Sequence, residues 1–121
     1  MIKVLVVEDI NSERELICDY LRECGYSVIS ACDGKDGLDK FEQSRPNVVI
    51  TDLMMPEMSG LELCRAIKKS ILGAVPVIAC TAKRQDLDRF WGMKQGLDAY
   101  LTKPFTRNDI VQTLQSLNLG E

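Results

Sequence analysis

The sequence predicts an α/β domain, a doubly wound parallel sheet of five strands flanked by five helices. Two observations carry this. The apolar runs Val4–Val7, Val48–Ile50 and Val77–Cys80 are rich in β-branched residues and do not alternate with polar ones, as in strands buried on both faces. Segments of helical period separate them, so strands alternate with helices and run parallel through right-handed crossovers.

Taken in order, Val4–Val7 is the first strand and runs straight into Glu8–Asp9. A helix follows, with Ser12 and Glu15 at capping-box spacing and Leu16, Ile17, Tyr20, Leu21 and Cys24 on one face. Gly25 stands where a left-handed helix end is needed. Ser27–Ala31, of mixed polarity, suits an edge strand, and Asp36 to Gln43 a short helix. Val48–Ile50 leads through Thr51 into Asp52. Ser59 and Glu62 then open a helix whose apolar face is Leu63, Ile67 and Ile71. Val77–Cys80 is the fourth strand, ending at Thr81. A fourth helix from about Gln85 to Gln95 contains Gly92, which costs about 1 kcal/mol against alanine, and should be the least stable. After Gly96, Ala99–Leu101 is a fifth strand. Thr106 and Asp109 open the last helix, with Ile110, Val111, Leu114 and Leu117 on its inner face. Periodicity does not give the strand order, but if that order reverses, the ligand site lies at the carboxyl ends of the strands flanking the reversal.

At 121 residues the chain is one domain's worth, and we read residues 1–121 as a single domain. Fifteen basic against eighteen acidic residues give a net charge of −3, which offers no footprint for direct nucleic-acid binding. The uncharged stretch Ile71 to Ala82 is too short to span a bilayer, and Val4 to Val7 is too brief for a secretory signal, so a cytoplasmic location is expected. Five cysteines without a C-x-x-C pair, and no histidine, read as small buried hydrophobes in a reducing compartment. The lack of histidine also excludes imidazole bases and Ser-His or Cys-His pairs. Chemistry is left to carboxylates, hydroxyls, lysine and a bound cation.

Alone, Glu8, Asp9 or Asp52 reads as a helix cap or a solvated strand end. Asn11 and Ser12, however, are better placed to cap the first helix, and Asp52 has no adjacent helix to cap. Three carboxylates about 5 Å apart would repel by roughly 3 kcal/mol per pair at an effective dielectric of about 20, so the cluster calls for a cation. Oxygen donors alone favour Mg²⁺, which takes one or two carboxylates and accepts phosphate oxygens. Thr81 and Lys103 end two further strands at the same edge. Together the four strand ends supply acids, a carboxylate nucleophile, a hydroxyl and an ammonium, a set that fits phosphoryl transfer to a carboxylate.

These residues belong to longer matching elements: Val4-Leu5-Val6-Val7-Glu8-Asp9, Asp52 to Gly60, Thr81-Ala82, and Tyr100-Leu101-Thr102-Lys103-Pro104-Phe105. In that order and spacing the chain resembles, over essentially its whole length, a receiver domain of two-component response regulators, similar to the chemotaxis regulators. The resemblance implies a flavodoxin-like sheet in the order 2-1-3-4-5 and a cis Lys103–Pro104 peptide. By it, Asp52 is the phosphoacceptor. Asp9, Asp52 and the backbone carbonyl of Met54 ligate Mg²⁺, Glu8 acts through metal-bound water, and Thr81 and Lys103 contact phosphoryl oxygens. It further implies a switch in which Thr81 moves toward the phosphoryl group and Tyr100 turns inward, altering a partner face made of the fourth helix, the fifth strand and the fifth helix. A histidine kinase or histidine phosphotransfer protein would supply the phosphoryl group, a downstream protein target would bind that face, and neither nucleic acid nor membrane is an implied partner. The chain would be no turnover enzyme, promoting only its own phosphorylation and dephosphorylation.

Glu8 departs from the more frequent aspartate, which should chiefly affect the metal's outer shell. Met54 and Lys83 stand where the family tunes acyl-phosphate lifetime. The segment Trp91-Gly92-Met93-Lys94-Gln95-Gly96 is similar to single-domain receivers of twitching-motility and phototaxis systems, with Trp91 either a partner anchor or a packing residue. Three residues precede the first strand at Val4, and the chain ends soon after the last helical face. A stand-alone receiver and the receiver part of a regulator with a C-terminal output domain both remain open, as does a phosphorylation-independent interaction module. An Mg²⁺-dependent phosphohydrolase with an aspartyl-phosphate intermediate fits less well, because Met54 stands where such enzymes carry a second aspartate.

Overall fold

A computed structural model describes residues 1–70, 73–82, 96–117 and 119. Five parallel strands, β1 (Lys3–Val7), β2 (Ser27–Ala31), β3 (Val48–Asp52), β4 (Val77–Thr81) and β5 (Ala99–Thr102), form one sheet in the order β2-β1-β3-β4-β5. This is the flavodoxin-like order. The helices among the described residues are α1 (Asn11–Glu23), α2 (Gly34–Ser44), α3 (Gly60–Lys69) and, last in the chain, α4 (Arg107–Ser116). The helix expected at 85–95, with Gly92 and Trp91, lies outside the described residues, as do Ile71 and Lys83.

Side chains alternate across the sheet and build two cores. Val4, Val6, Ile50, Ile78, Cys80 and Leu101 face α1 and α4, joining Ile17, Cys18, Leu21, Ile110 and Leu114. Leu5, Val7, Val49, Val77 and Ala79 face α2 and α3, joining Phe41, Leu63, Cys64 and Ile67. Every residue of β3 and β4 is buried, which is why Val48–Ile50 and Val77–Cys80 run apolar without alternation up to the polar strand ends. β2, an edge strand as expected, is mostly half-buried.

The helix starts at Ser59 and Thr106 follow the sequence: each caps with its side chain and each completes a capping box, with Glu62 and Asp109. The expected Ser12–Glu15 box does not form. α1 begins at Asn11 with Ile10 as N-cap, whose aliphatic side chain has no oxygen to accept an N–H; the Ile10 N–H itself goes to Glu8 Oε2 at 3.3 Å, and the Asn11 amide oxygen takes Arg14. The buried face of α1 is also turned from the expected one. Cys18 is inside with Ile17 and Leu21, whereas Leu16 is 48% exposed and Cys24 is exposed. α2 exceeds the expected Asp36–Gln43 at both ends, since Asp33 accepts the Asp36 N–H at 2.7 Å and so starts the helix at Gly34. Gly25 and Gly96 take positive φ, +88° and +105°, as their positions required. All five cysteines are free; Cys18, Cys64 and Cys80 are buried as expected, but Cys24 and Cys32 are exposed.

Candidate phosphoacceptor site

The chain passes from β1 to β2 on one side and, after α2, to β3 on the other. The order therefore reverses between β1 and β3, and a crevice opens at their carboxyl ends. Register brings the strand ends level: Val7 lies opposite Thr51, Asp52 opposite Cys80, and Thr81 opposite Thr102. Glu8, Asp9, Asp52, Thr81 and Lys103 thus meet at one edge. Glu8, Asp52 and Thr81 are all buried.

Glu8, Asp9 and Asp52 each offer a carboxylate oxygen within 4.8 Å of the other two. Lys103 Nζ donates to Asp52 Oδ2 at 2.9 Å, to Glu8 Oε1 at 2.8 Å and to Glu13 Oε1 at 2.7 Å. The second Asp52 oxygen, Oδ1, accepts the Met54 N–H at 3.1 Å, which fixes the carboxylate plane. The Lys103 backbone N–H donates to the Thr81 carbonyl at 2.8 Å, tying β5's end to β4's. The Lys103–Pro104 peptide is cis, in agreement with the sequence expectation. Met54's side chain is 66% exposed, so this position contributes its backbone to the site and leaves its thioether outside.

Asp9 Oδ1 is shielded from solvent and accepts no hydrogen bond among the described residues. An orphaned carboxylate oxygen of this kind costs about 1–3 kcal/mol or more, and it lies beside two further carboxylates. The donor set is all oxygen, hard, and negatively charged, so the residues fit a hard divalent cation such as Mg²⁺. Of 18 acidic and 15 basic residues, the site holds four and one, so 14 of each remain elsewhere and the chain's formal charge of −3 is concentrated here. An anionic reactant meets that charge unless a cation offsets it.

Burial pushes the Glu8 carboxyl up to about 7, with Asp52's charge adding to the rise while the Lys103 hydrogen bond opposes it. Burial alone would lower the Lys103 ammonium, but hydrogen bonds to Glu13, Glu8 and Asp52 outweigh it and hold the group above the ordinary lysine range. The Cys80 thiol, beneath the site on β4, is raised by burial and stays protonated.

Gly60 is part of the same construction. Its N–H donates to Leu53's carbonyl at 3.1 Å, and a Cβ there would lie 2.1 Å from the Asp52 carbonyl oxygen, so only glycine lets α3 start this close behind the acid. Tyr100 packs partly against the core facing α2 and α3, with its hydroxyl out of solvent. By strand alternation Thr81, two residues beyond Ala79, shares Tyr100's face of the sheet.

Sequence reasoning found every residue of this cluster except Glu13. Its signal was present, an acid one helical turn beyond Asp9, but the expected Ser12 cap put the helix start two residues late and gave the third helical position to Glu15 instead of Glu13. Trp91 and Lys83, singled out in the sequence, lie outside the described residues.

A fold with its crevice at the β1/β3 reversal, and three acids with a lysine inside it, define the class. The family model for the response regulator receiver domain matches residues 4–115, and the chain belongs to that family. Protein PilH of Pseudomonas aeruginosa is 34% identical over 121 residues, covering 99% of this chain and 100% of that protein. The chemotaxis response regulator CheY4 of Vibrio cholerae superposes with a TM-score of 0.91 at 32% identity, covering 97% of this chain and 98% of that one. The receiver domain of sensor histidine kinase PA1611 from Pseudomonas aeruginosa, whose structure has a magnesium ion coordinated in the active-site cleft, superposes with a TM-score of 0.88 at 32% identity over 98% of both chains. The chain spans about half the length of other curated relatives it matches, transcriptional regulators among them. Among the described residues no helix is long and apolar enough to cross a membrane.

Proposed function

We propose that this chain is a phosphoacceptor switch, in which Asp52 takes a phosphoryl group from a histidine kinase or histidine phosphotransfer protein in an Mg²⁺-dependent reaction. The observation that carries the reading is the convergence of Lys103 on Asp52 and Glu8, beside the orphaned buried oxygen of Asp9. Asp9, Asp52 and the Met54 carbonyl would hold Mg²⁺, with Glu8 acting through a metal-bound water. When bound, Mg²⁺ supplies charge neutralisation for the phosphoryl oxygens.

The chain's own groups do the rest. An Asp52 oxygen bonds to phosphorus as the donor's P–N bond breaks, and the departing imidazole keeps the electron pair. Lys103 stabilises charge on a phosphoryl oxygen, and the Thr81 hydroxyl donates to another. Thr81's shift toward the phosphoryl group leaves room on the sheet face it shares with Tyr100, and Tyr100 turns inward. Phosphorylation moves this equilibrium because the phosphoryl group contacts the two Thr81 positions unequally. The altered face comprises β5 and α4, together with the fourth helix that the family resemblance implies, which lies outside the described residues. Between β5 and α4 lies a groove of about 410 Å³ lined by Tyr100, Phe105, Asp109 and Gln112. A cytoplasmic protein target binds there, and the chain turns over no substrate besides its own phosphoryl group.

The test is intact-protein mass after incubation with Mg²⁺ and acetyl phosphate, beside Asp52→Asn and metal-chelated samples. One added phosphoryl group is expected only in wild type with Mg²⁺. No gain, together with no binding of beryllofluoride, would move the function to a phosphorylation-independent interaction module.

A further inference from the structure

Lys103 has three N–H donors, and among the described residues all three are engaged, by Glu8, Asp52 and Glu13. The first two belong to the site already described. Glu13 does not, and its contact at 2.7 Å is the shortest of the three. It stands at the third position of α1, where acids ordinarily reach back to the N-cap N–H. The equivalent acids of α3 and α4 do so, Glu62 to Ser59 at 3.1 Å and Asp109 to Thr106 at 2.9 Å. In α1 that N–H is taken by Glu8's second oxygen, and Glu13 is given over to the lysine.

We infer that Glu13 is a positioning residue for Lys103, an internal competitor that the phosphoryl group displaces. The inference rests on the phosphoacceptor reading. A phosphoryl oxygen can take an N–H of Lys103 only if a present partner lets go. Glu8's side chain is 1% exposed and has no water to turn to, and Asp52 is the group being phosphorylated. Glu13's side chain is 35% exposed and can exchange the lysine for solvent, so it is the partner released at least cost. It also rims a cavity of about 340 Å³ lined by Leu16, Ile17, Lys103, Pro104 and Phe105, which opens beside the site. While Glu13 holds the ammonium, the unphosphorylated state is favoured.

Wild type, Glu13→Gln, Glu13→Asp and Glu15→Gln, the last an exposed acid on the same helix, are compared with Mg²⁺ for apparent beryllofluoride affinity by ¹⁹F NMR and for the initial rate of labelling by acetyl phosphate. Glu13→Asp keeps the charge but shortens the arm. Glu13→Gln and Glu13→Asp should both bind beryllofluoride roughly two- to fivefold more tightly and label faster, the range for one partly exposed ion pair, with Glu15→Gln at the wild-type value. Wild-type behaviour of Glu13→Gln overturns the inference. So does tightening in Glu13→Gln alone, which would reduce the effect to charge at the mouth. A wild type that neither binds beryllofluoride nor gains a phosphoryl group overturns the phosphoacceptor reading, and this inference with it.

Discussion

Glu8 shows how burial sets the behaviour of a single side chain. Its folded-state carboxyl, held at about 7 chiefly by desolvation, lies above the 4.5 of an exposed one, so the folded state binds the proton more tightly than the unfolded chain. Stability in metal-free buffer must then fall as pH rises through that window, by up to a few kcal/mol. Lys103, raised in its folded state, keeps its contribution throughout this range, since that is lost only above the ordinary lysine value. Urea denaturation at pH 5 and pH 8 should therefore show wild type losing stability with pH and Glu8→Gln losing much less. Mg²⁺ should restore wild type most at pH 8, because a cation favours the ionised carboxylate. A second prediction concerns Met54, whose exposed thioether has no polar group to orient an attacking water. Wild type should lose its phosphoryl group more slowly than Met54→Asn, as followed by the decay of intact mass after the donor is removed.

At the scale of elements, the helix starts separate what local chemistry decides from what it does not. Ser59 and Glu62 close a local capping box, and Ser59→Ala should cost about 1 kcal/mol in chemical denaturation. Ser12, placed at the same spacing from Glu15, caps nothing, so Ser12→Ala should stay within about 0.5 kcal/mol of wild type. Gly60 is governed by an approach to backbone, which cannot yield as a flexible side chain can. Gly60→Ala should destabilise by about 2–3 kcal/mol and slow labelling of Asp52, since the atom in the way is Asp52's own carbonyl oxygen. Equal melting temperatures for Gly60→Ala and wild type would refute this account of the β3–α3 turn. The apolar runs of β1, β3 and β4 were legible because burial on both faces leaves no polar positions. The phase of α1 was not, because Leu16 and Cys18 are similarly apolar and only the position of the neighbouring sheet decides which one turns inward.

For the whole molecule, thiol accessibility offers a check on the packing. With Cys18, Cys64 and Cys80 buried and Cys24 and Cys32 exposed, a thiol reagent should label two cysteines quickly in the folded protein and all five in denaturant. Three fast thiols would contradict the face assigned to α1. By itself the sequence determined the class of fold, the five strands and the identity of the acids, Thr81 and Lys103, because each rests on a local pattern or on a residue type ending a strand. Strand order came from resemblance to a family, since a parallel run reads the same wherever it sits in a sheet. Only the tertiary structure decided that Glu13 joins Glu8 and Asp52 around Lys103. That contact joins residues 90 positions apart in the chain, and no local pattern encodes a distance that register and helix phase set together.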